Sequence, residues 1–274
     1  MKGAWSFPAG WREGAGRLFS ALGFRERRCV ACREPFEPDA LPRHAVPSPE
    51  ETAAFFLCPG CRTQIRRREA GFCPYCGEPS ALEDAPCTSC SDCMMHLPPW
   101  NDFLFFGVYE GLLRDLVLRA KFGGSLAALD MLGLLLAGVC AGHYEAAPAP
   151  SVVIPMPLHN ARLRERGFNQ CLELARPVVK ALGVPLCTDV LVKRVSRTPQ
   201  AMLGREERRK LAQPFEAVRR VDGLHILLID DVCTTRATMQ RAVECLLAAG
   251  AFRVDAAVVA RSSRHGQGGG PALP

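Results

Sequence analysis

The sequence predicts an α/β fold, a parallel sheet flanked by helices, preceded by a cysteine-rich metal-binding region. Three observations carry this. Short apolar runs alternate with helix-period stretches between residues 103 and 260. Of 14 cysteines, eight form four Cys-x-x-Cys pairs, all before residue 91. One apolar run, residues 225–229, leads into Asp230-Asp231, a hydroxyl-rich loop and then the helical pattern Met239, Val243, Leu246, Leu247.

Composition narrows the class. A chain of 274 residues is long enough for one full domain and a smaller one, and a hydrophobic fraction of 48% excludes a disordered chain. The net charge of +6 admits an anionic ligand or nucleic acid and demands neither. The first residues carry Trp5, Phe7, Arg12 and Glu13 with no continuous apolar segment, so no secretory leader is expected. The longest apolar run, 126–142, is broken by Asp130 and falls short of a spanning length. A cytoplasmic protein without membrane insertion is the expectation.

Residues 1–24 hold a short amphipathic pattern (Trp11, Leu18, Phe19, Leu22, Phe24) that suits a helix docking on the rest of the chain. The region 25–97 follows with Cys29/Cys32, Cys58/Cys61, Cys73/Cys76 and Cys87/Cys90. Two residues between thiolates form a knuckle that binds one ion, and two knuckles complete a tetrahedron. Such spacing predicts a double zinc ribbon with two structural Zn²⁺ ions. The simplest arrangement joins the first pair to the second and the third to the fourth; a cross-braced one is equally allowed by spacing. Cys93 is a further thiol three residues after Cys90, either an alternative ligand or a bystander. Arg62, Arg66, Arg67 and Arg68 form a charge run, usually a solvated face but also suited to a nucleic-acid backbone.

Pro98-Pro99-Trp100 marks a boundary, and a second domain is expected over 101–261. A strand is predicted over 103–109. A helix face follows (Leu112, Leu113, Leu116, Val117, Ala120), ending at Lys121-Phe122-Gly123-Gly124. An apolar core helix is predicted over 126–142, then a strand over 152–154. That strand runs into Pro155-Met156-Pro157-Leu158-His159, a stiffened turn, followed by Arg162, Arg164 and Arg166, which suit an anionic group. A strand-like stretch (186–194) and a polar stretch dense in Arg, Glu and Lys (204–213) precede the acidic strand end. The last strand is expected over 252–260, and 262–274 reads as a disordered Gly/Ser/Pro-rich tail.

The loop after Asp230-Asp231 can wrap a phosphate with its backbone N–H groups and threonine hydroxyls, backed by the positive end of a helix dipole. Paired carboxylates make sense only if the ligand also carries sugar hydroxyls or a magnesium ion. Asp230-Asp231-Val-Cys-Thr234-Thr235-Arg236-Ala237-Thr238 resembles the phosphoribosyl pyrophosphate (PRPP) motif of type I phosphoribosyltransferases. That resemblance implies Asp230 and Asp231 as catalytic residues facing the ribose. It implies Thr234, Thr235, Arg236, Ala237 and Thr238 as the cradle of the 5-phosphate, with Mg²⁺ entering alongside PRPP. Arg236 stands where the pattern usually has glycine.

With the turn Pro155-Met156-Pro157-Leu158-His159 and the block Arg166-Gly167-Phe168-Asn169-Gln170, the chain resembles the ComF family, competence-associated proteins that join zinc ribbons to a phosphoribosyltransferase domain. The family likeness implies that the turn, Arg166 and Asn169 contact pyrophosphate, and that 204–213 is a hood closing over PRPP. It implies as partners PRPP or a related sugar phosphate, single-stranded DNA and competence helicase-type proteins. Two functions follow: a phosphoribosyltransferase-family protein tied to DNA uptake, or a non-catalytic single-stranded DNA-binding factor with a regulatory or vestigial PRPP site.

Overall fold

The computed structural model describes residues 26–39, 46–193 and 214–263. The expected N-terminal helix, the hood and the tail beyond Ser263 lie outside the described residues. The cysteine-rich region opens with an antiparallel pair, β1 (Arg27–Arg28) against β2 (Pro35–Phe36). Helix α1 (Pro49–Phe56) follows. The Ser48 hydroxyl accepts from the Glu51 amide while the Glu51 carboxylate accepts from the Ser48 amide, and Pro49 occupies the first turn. This reciprocal cap fixes where the helix starts. Two short helices, α2 (Pro59–Arg62) and α3 (Ser91–Met95), each begin directly after a cysteine, Cys58 and Cys90.

The second region alternates strand and helix as its periodicity predicts. In order come β3 (Phe103–Val108), α4 (Gly111–Phe122), α5 (Leu126–Tyr144), β4 (Val152–Pro155), α6 (Asn160–Arg166) and α7 (Gln170–Leu182). A small antiparallel pair, β5 (Leu191–Lys193) and β6 (Phe215–Ala217), precedes β7 (His225–Cys233), α8 (Arg236–Ala248) and β8 (Arg253–Arg261). Four strands form one parallel sheet in the order β3-β8-β7-β4.

Alternate side chains of each strand serve opposite faces. Leu104, Phe106, Val153, Leu227, Ile229, Ala257 and Val259 pack with α4, α5 and α7. Phe103, Phe105, Val152, Ile154, Ile226, Leu228, Ala256 and Val258 pack with Met239, Ala242, Val243 and Leu246 of α8. With both faces covered, the strands can be apolar throughout, which is why they read as continuous runs. The cysteine region belongs to these same cores. Cys29, Val30, Ala31 and Leu57 join the first, and Cys73, Cys76 and Cys93 join the second. The connecting segment runs along the free edge of β3, where the Arg68 amide donates to the Phe106 carbonyl at 2.8 Å.

Three expectations change. The stretch 186–194 gives a strand only over Leu191–Lys193 within the described residues; Leu186 makes an isolated parallel bridge to Val153, since β4 is too short to hold a longer partner. Strand β7 does not stop at the two aspartates but continues to Cys233, because β8 pairs with it that far. The apolar helix α5 has 19 residues, enough by length to cross a bilayer where the sequence reading falls short, but ten of them are buried against neighbouring elements, including Leu132, Leu135 and Leu136, so it is the core helix that the sequence predicts.

At the sheet's other end, Asp255 is fully buried. It accepts from Tyr144 Oη at 2.8 Å, pairs with His225 Nε2 at 2.7 Å and receives Arg253 Nε at 3.0 Å. This network pins the end of α5 to the sheet.

Candidate ligand cleft and thiol clusters

Strands β4 and β7 lie side by side, yet the helices after them leave on opposite faces: α7 packs into one core and α8 into the other. A crevice opens at the carboxyl ends of such strands, the place where open α/β sheets bind ligands. Here it is a cleft of about 390 Å³. Its floor carries Asp230, Asp231, Gln170 and Cys171; Met156, Pro157 and Leu158 form one wall, and Lys121, Phe122 and Tyr109 reach it from α4 and β3's end. Arg162, Arg166 and Thr238 also face it.

The floor is a connected polar group. Lys121 Nζ stands 3.0 Å from Asp231 Oδ2, and Gln170 Nε2 donates to the same oxygen at 3.1 Å. Gln170 Oε1 is buried without a hydrogen-bond partner among the described residues. Cys171 Sγ donates to Asp230 Oδ1 at 3.2 Å. Burial, then the charge of Asp231, push the Asp230 carboxyl up to about 7. Burial and the two aspartates likewise raise the Cys171 thiol well above its ordinary value, so it stays a neutral donor. Lys121, Gln170 and Cys171 were not singled out from sequence as site residues. Their one signal is position: Lys121 closes a helix at a Gly-Gly, and Gln170-Cys171 open the helix after the arginine block.

Not every expected residue faces the cleft. Asn169 caps α7, its Oδ1 accepting from the Cys171 amide at 3.0 Å and its Nδ2 donating to the Met156 carbonyl at 3.1 Å. Both ends of its amide are engaged in holding the wall. Pro155 is the last residue of β4 and is buried in it, and His159 is half-buried, its carbonyl accepting the Leu163 amide as α6 begins. Arg166 stacks its guanidinium 4.9 Å from the Phe122 ring centre.

The loop between β7 and α8 leaves Thr234 and Thr235 exposed, and the first turn of α8 leaves Ala237 and Thr238 exposed. Thr235 occupies the cap position of the 13-residue α8 without a side-chain cap bond, so the first amides of that helix face outward. Arg236, implied by the resemblance as part of the phosphate cradle, does not line the cleft; its guanidinium turns away, to Cys93 Sγ at 3.0 Å and Asp92 Oδ2 at 3.3 Å.

Two groups of four thiols gather, with ligand atoms within 4.8 Å of one another in each: Cys29, Cys32, Cys58, Cys61, and Cys73, Cys76, Cys90, Cys93. The pairing is sequential, not cross-braced. Cys32 and Cys58 sulfurs are 3.6 Å apart and Cys76 and Cys90 sulfurs 3.7 Å, close to the edge of about 3.8 Å that a tetrahedron with ~2.3 Å metal–sulfur bonds requires. All 14 cysteines are free of disulfides. The donor sets therefore fit a metal ion.

Cys87, expected as a ligand, is exposed and outside the second group; Cys93 takes its place. The reason is local. Cys90 sits at the start of α3 and Cys93 one turn along, so the two face the same point, whereas Cys87 lies in the extended segment before the helix. Gly77, at φ +67°, completes the other knuckle flat against β3, where a Cβ would come within 2.7 Å of the Phe103 ring.

The charge run is not a uniform face. Arg66 and Arg67 are exposed, but Arg68 donates to the carbonyls of Gly71 and Ser80 and pairs with Glu83 at 3.1 Å.

Residues 169–270 match the phosphoribosyl transferase domain family. The chain is 30% identical to the DNA utilization protein YhgH of Salmonella typhi over 205 residues, 72% of this chain and 87% of that protein. It is 26% identical to the competence protein ComFC of Bacillus subtilis over 236 residues, 83% and 92% of the two chains. Competence protein F of Haemophilus influenzae is 29% identical over 213 residues, 75% and 90%. Among solved structures, the glutamine PRPP amidotransferase from B. subtilis with ADP and GMP aligns at 19% identity and a TM-score of 0.38, covering 52% of this chain and 30% of that one.

Proposed function

Because the chain belongs to the ComF family, we propose that it is a phosphoribosyltransferase-fold protein of DNA uptake that binds PRPP, or a related sugar phosphate, with Mg²⁺ in the cleft between β4 and β7. The observation that carries this is the floor of the cleft: two adjacent carboxylates, Asp231 held by Lys121 and Gln170 and Asp230 by Cys171, beside the exposed start of α8. A bare phosphate would be repelled by Asp230 and Asp231, whereas a sugar phosphate presents hydroxyls to them and its phosphate to the helix. Gln170 Oε1, an acceptor without a partner among the described residues, suits one such hydroxyl.

Thr234, Thr235, Ala237 and Thr238 are assigned the 5-phosphate, and Met156, Pro157 and Leu158 with Arg166 the pyrophosphate end. Pro155, His159 and Asn169 are assigned to shaping that wall. Bound Mg²⁺ would neutralise charge on a departing pyrophosphate. Asp230 and Asp231 would orient the ribose while a nitrogen nucleophile attacks C1, and the arginines of α6 would receive the leaving charge. Residues 25–97 are read as a double zinc ribbon and 101–261 as the transferase domain, each thiol group holding one structural Zn²⁺ with no open coordination position.

Titration calorimetry with PRPP and Mg²⁺ tests the reading: wild type gives a saturable heat that Asp230→Asn/Asp231→Asn removes, and no heat in wild type would refute it. A second role, contact with single-stranded DNA, is supported by Arg62, Arg66 and Arg67 lining a shared groove of about 380 Å³ on the ribbon side.

A further inference from the structure

Two arginines join the second thiol group to the loop assigned to the phosphate. Arg236 opens α8 directly after that loop, and its side chain, 14% exposed, donates to the sulfur of Cys93 and pairs with Asp92. Arg261, at the end of β8, is fully buried. It donates to the Cys76 carbonyl at 3.0 Å and pairs with the Glu78 carboxylate on the ribbon side. On the loop side it donates to the carbonyls of Cys233 at 2.9 Å and Thr234 at 2.8 Å. Thus one guanidinium holds the backbone of the loop's first residues to the backbone of one knuckle. The other holds the loop's helical end to a sulfur of the opposite knuckle.

Charge makes this arrangement sensitive to metal. Four thiolates around a divalent ion carry a net charge of about −2. An ion held by Cys93 would fix in place the sulfur to which Arg236 donates, and a guanidinium bond to a metal-held thiolate is charge-assisted and therefore strong. We infer that Arg236 and Arg261 are positioning residues that couple metal occupancy of the Cys73/Cys76/Cys90/Cys93 group to the affinity of the cleft for its sugar phosphate. The first thiol group, packed on the opposite face of the sheet, has no part in this coupling. The inference rests on the cleft reading above for the identity of the ligand. It also gives Arg236 a task in a position where glycine is usual: it trades close backbone approach for a tether.

Coupling of this kind is reciprocal, so it can be read from either end. The full-length chain is loaded with cobalt(II) in place of zinc, and its visible thiolate–cobalt spectrum is followed while PRPP and Mg²⁺ are added, with binding monitored separately by calorimetry. The expected result is a saturable spectral change that tracks the heat. Arg236→Gln should abolish that change, weaken PRPP about tenfold, within the usual range of coupling between sites, and speed release of one of the two metal ions to a chelator. Arg236→Lys, which keeps the charge, should restore part of each effect. Binding heat without any spectral change, together with wild-type metal release in Arg236→Gln, would overturn the coupling and leave the cleft reading intact. Absence of binding heat in wild type would bring down the cleft reading and the coupling with it. Unchanged metal release on its own would show that the Arg236 tether does not hold the thiol group.

Discussion

Lys121 Nζ lies 3.0 Å from Asp231 Oδ2, so a cation from α4 is paired with the carboxylate that the proposed ligand must engage. Both side chains are largely withdrawn from solvent, at 20% and 10% exposure, and the same ammonium also draws the neighbouring Asp230 carboxyl downward. Replacing Lys121 by methionine leaves two adjacent carboxylates without their counter-cation. The expected outcome is a loss of stability of roughly 1–3 kcal/mol at pH 8, between the values for exposed and buried pairs. Urea denaturation should also show the loss shrinking at pH 5.5, where Asp230 is protonated. An equal loss at both pH values would mean that Lys121 acts through packing alone.

The raised Asp230 carboxyl gives a pH dependence with a definite sign. Its folded-state value of about 7 lies above the ordinary carboxylate value, so the folded chain binds this proton more tightly than the unfolded chain. Its contribution to stability is therefore fully favourable below about pH 4 and is lost as pH rises towards 7. A ligand that carries Mg²⁺ needs the ionised form. Affinity for PRPP with Mg²⁺ should accordingly climb between pH 6 and pH 7.5, then level off, with proton release on binding below pH 7. Calorimetry in buffers of different ionisation enthalpy measures that release, and Asp230→Asn should remove it. A flat profile in wild type would place the ionisation elsewhere.

Arg261 and Glu78 form a pair with 0% and 9% side-chain exposure, and breaking one partner of such a pair strands a buried charge. Arg261→Met should destabilise by about 3–5 kcal/mol in chemical denaturation. Adding Glu78→Leu should recover only part of this, because the carbonyls of Cys76, Cys233 and Thr234 also lose their donor. Full recovery in the double variant would show that those carbonyl contacts contribute little.

What could be read beforehand follows from how local each signal is. Several strands and helices and the acidic loop are set by periodicity and short motifs, and β3 and β8 appeared with bounds within a residue, while the helix Gln170–Leu182 and the strand Phe215–Ala217 were not foreseen. The switch point between β4 and β7 was invisible, since it depends on which face each following helix chooses. Lys121, Gln170 and Cys171 come from two helices that only the sheet brings together, so no spacing rule could gather them. Arg236 was visible as an oddity, but its partners are more than 140 positions away. Arg68 looked like part of a basic face until the chain around Gly71 and Ser80 folded over it.

The choice between Cys87 and Cys93 can be decided by counting metal. Both lie three residues from Cys90, so spacing treats them alike, and the pair with the extra turn of helix is the one whose sulfurs converge. Cys93 is 2% exposed within the second core, while Cys87 is exposed. Thiolate ligands fold with their metal, so removing a true ligand should empty the site instead of merely weakening it. Colorimetric zinc release by a thiol reagent should therefore give two ions per chain for wild type and for Cys87→Ser, and close to one for Cys93→Ser. The Cys93→Ser chain should also lose part of its cooperative unfolding, because Cys93 belongs to the same buried core as Trp100 and the strand residues Phe103 and Phe105. Loss of an ion in Cys87→Ser, with Cys93→Ser unaffected, would return the fourth ligand to the earlier cysteine and remove the sulfur to which Arg236 is tied.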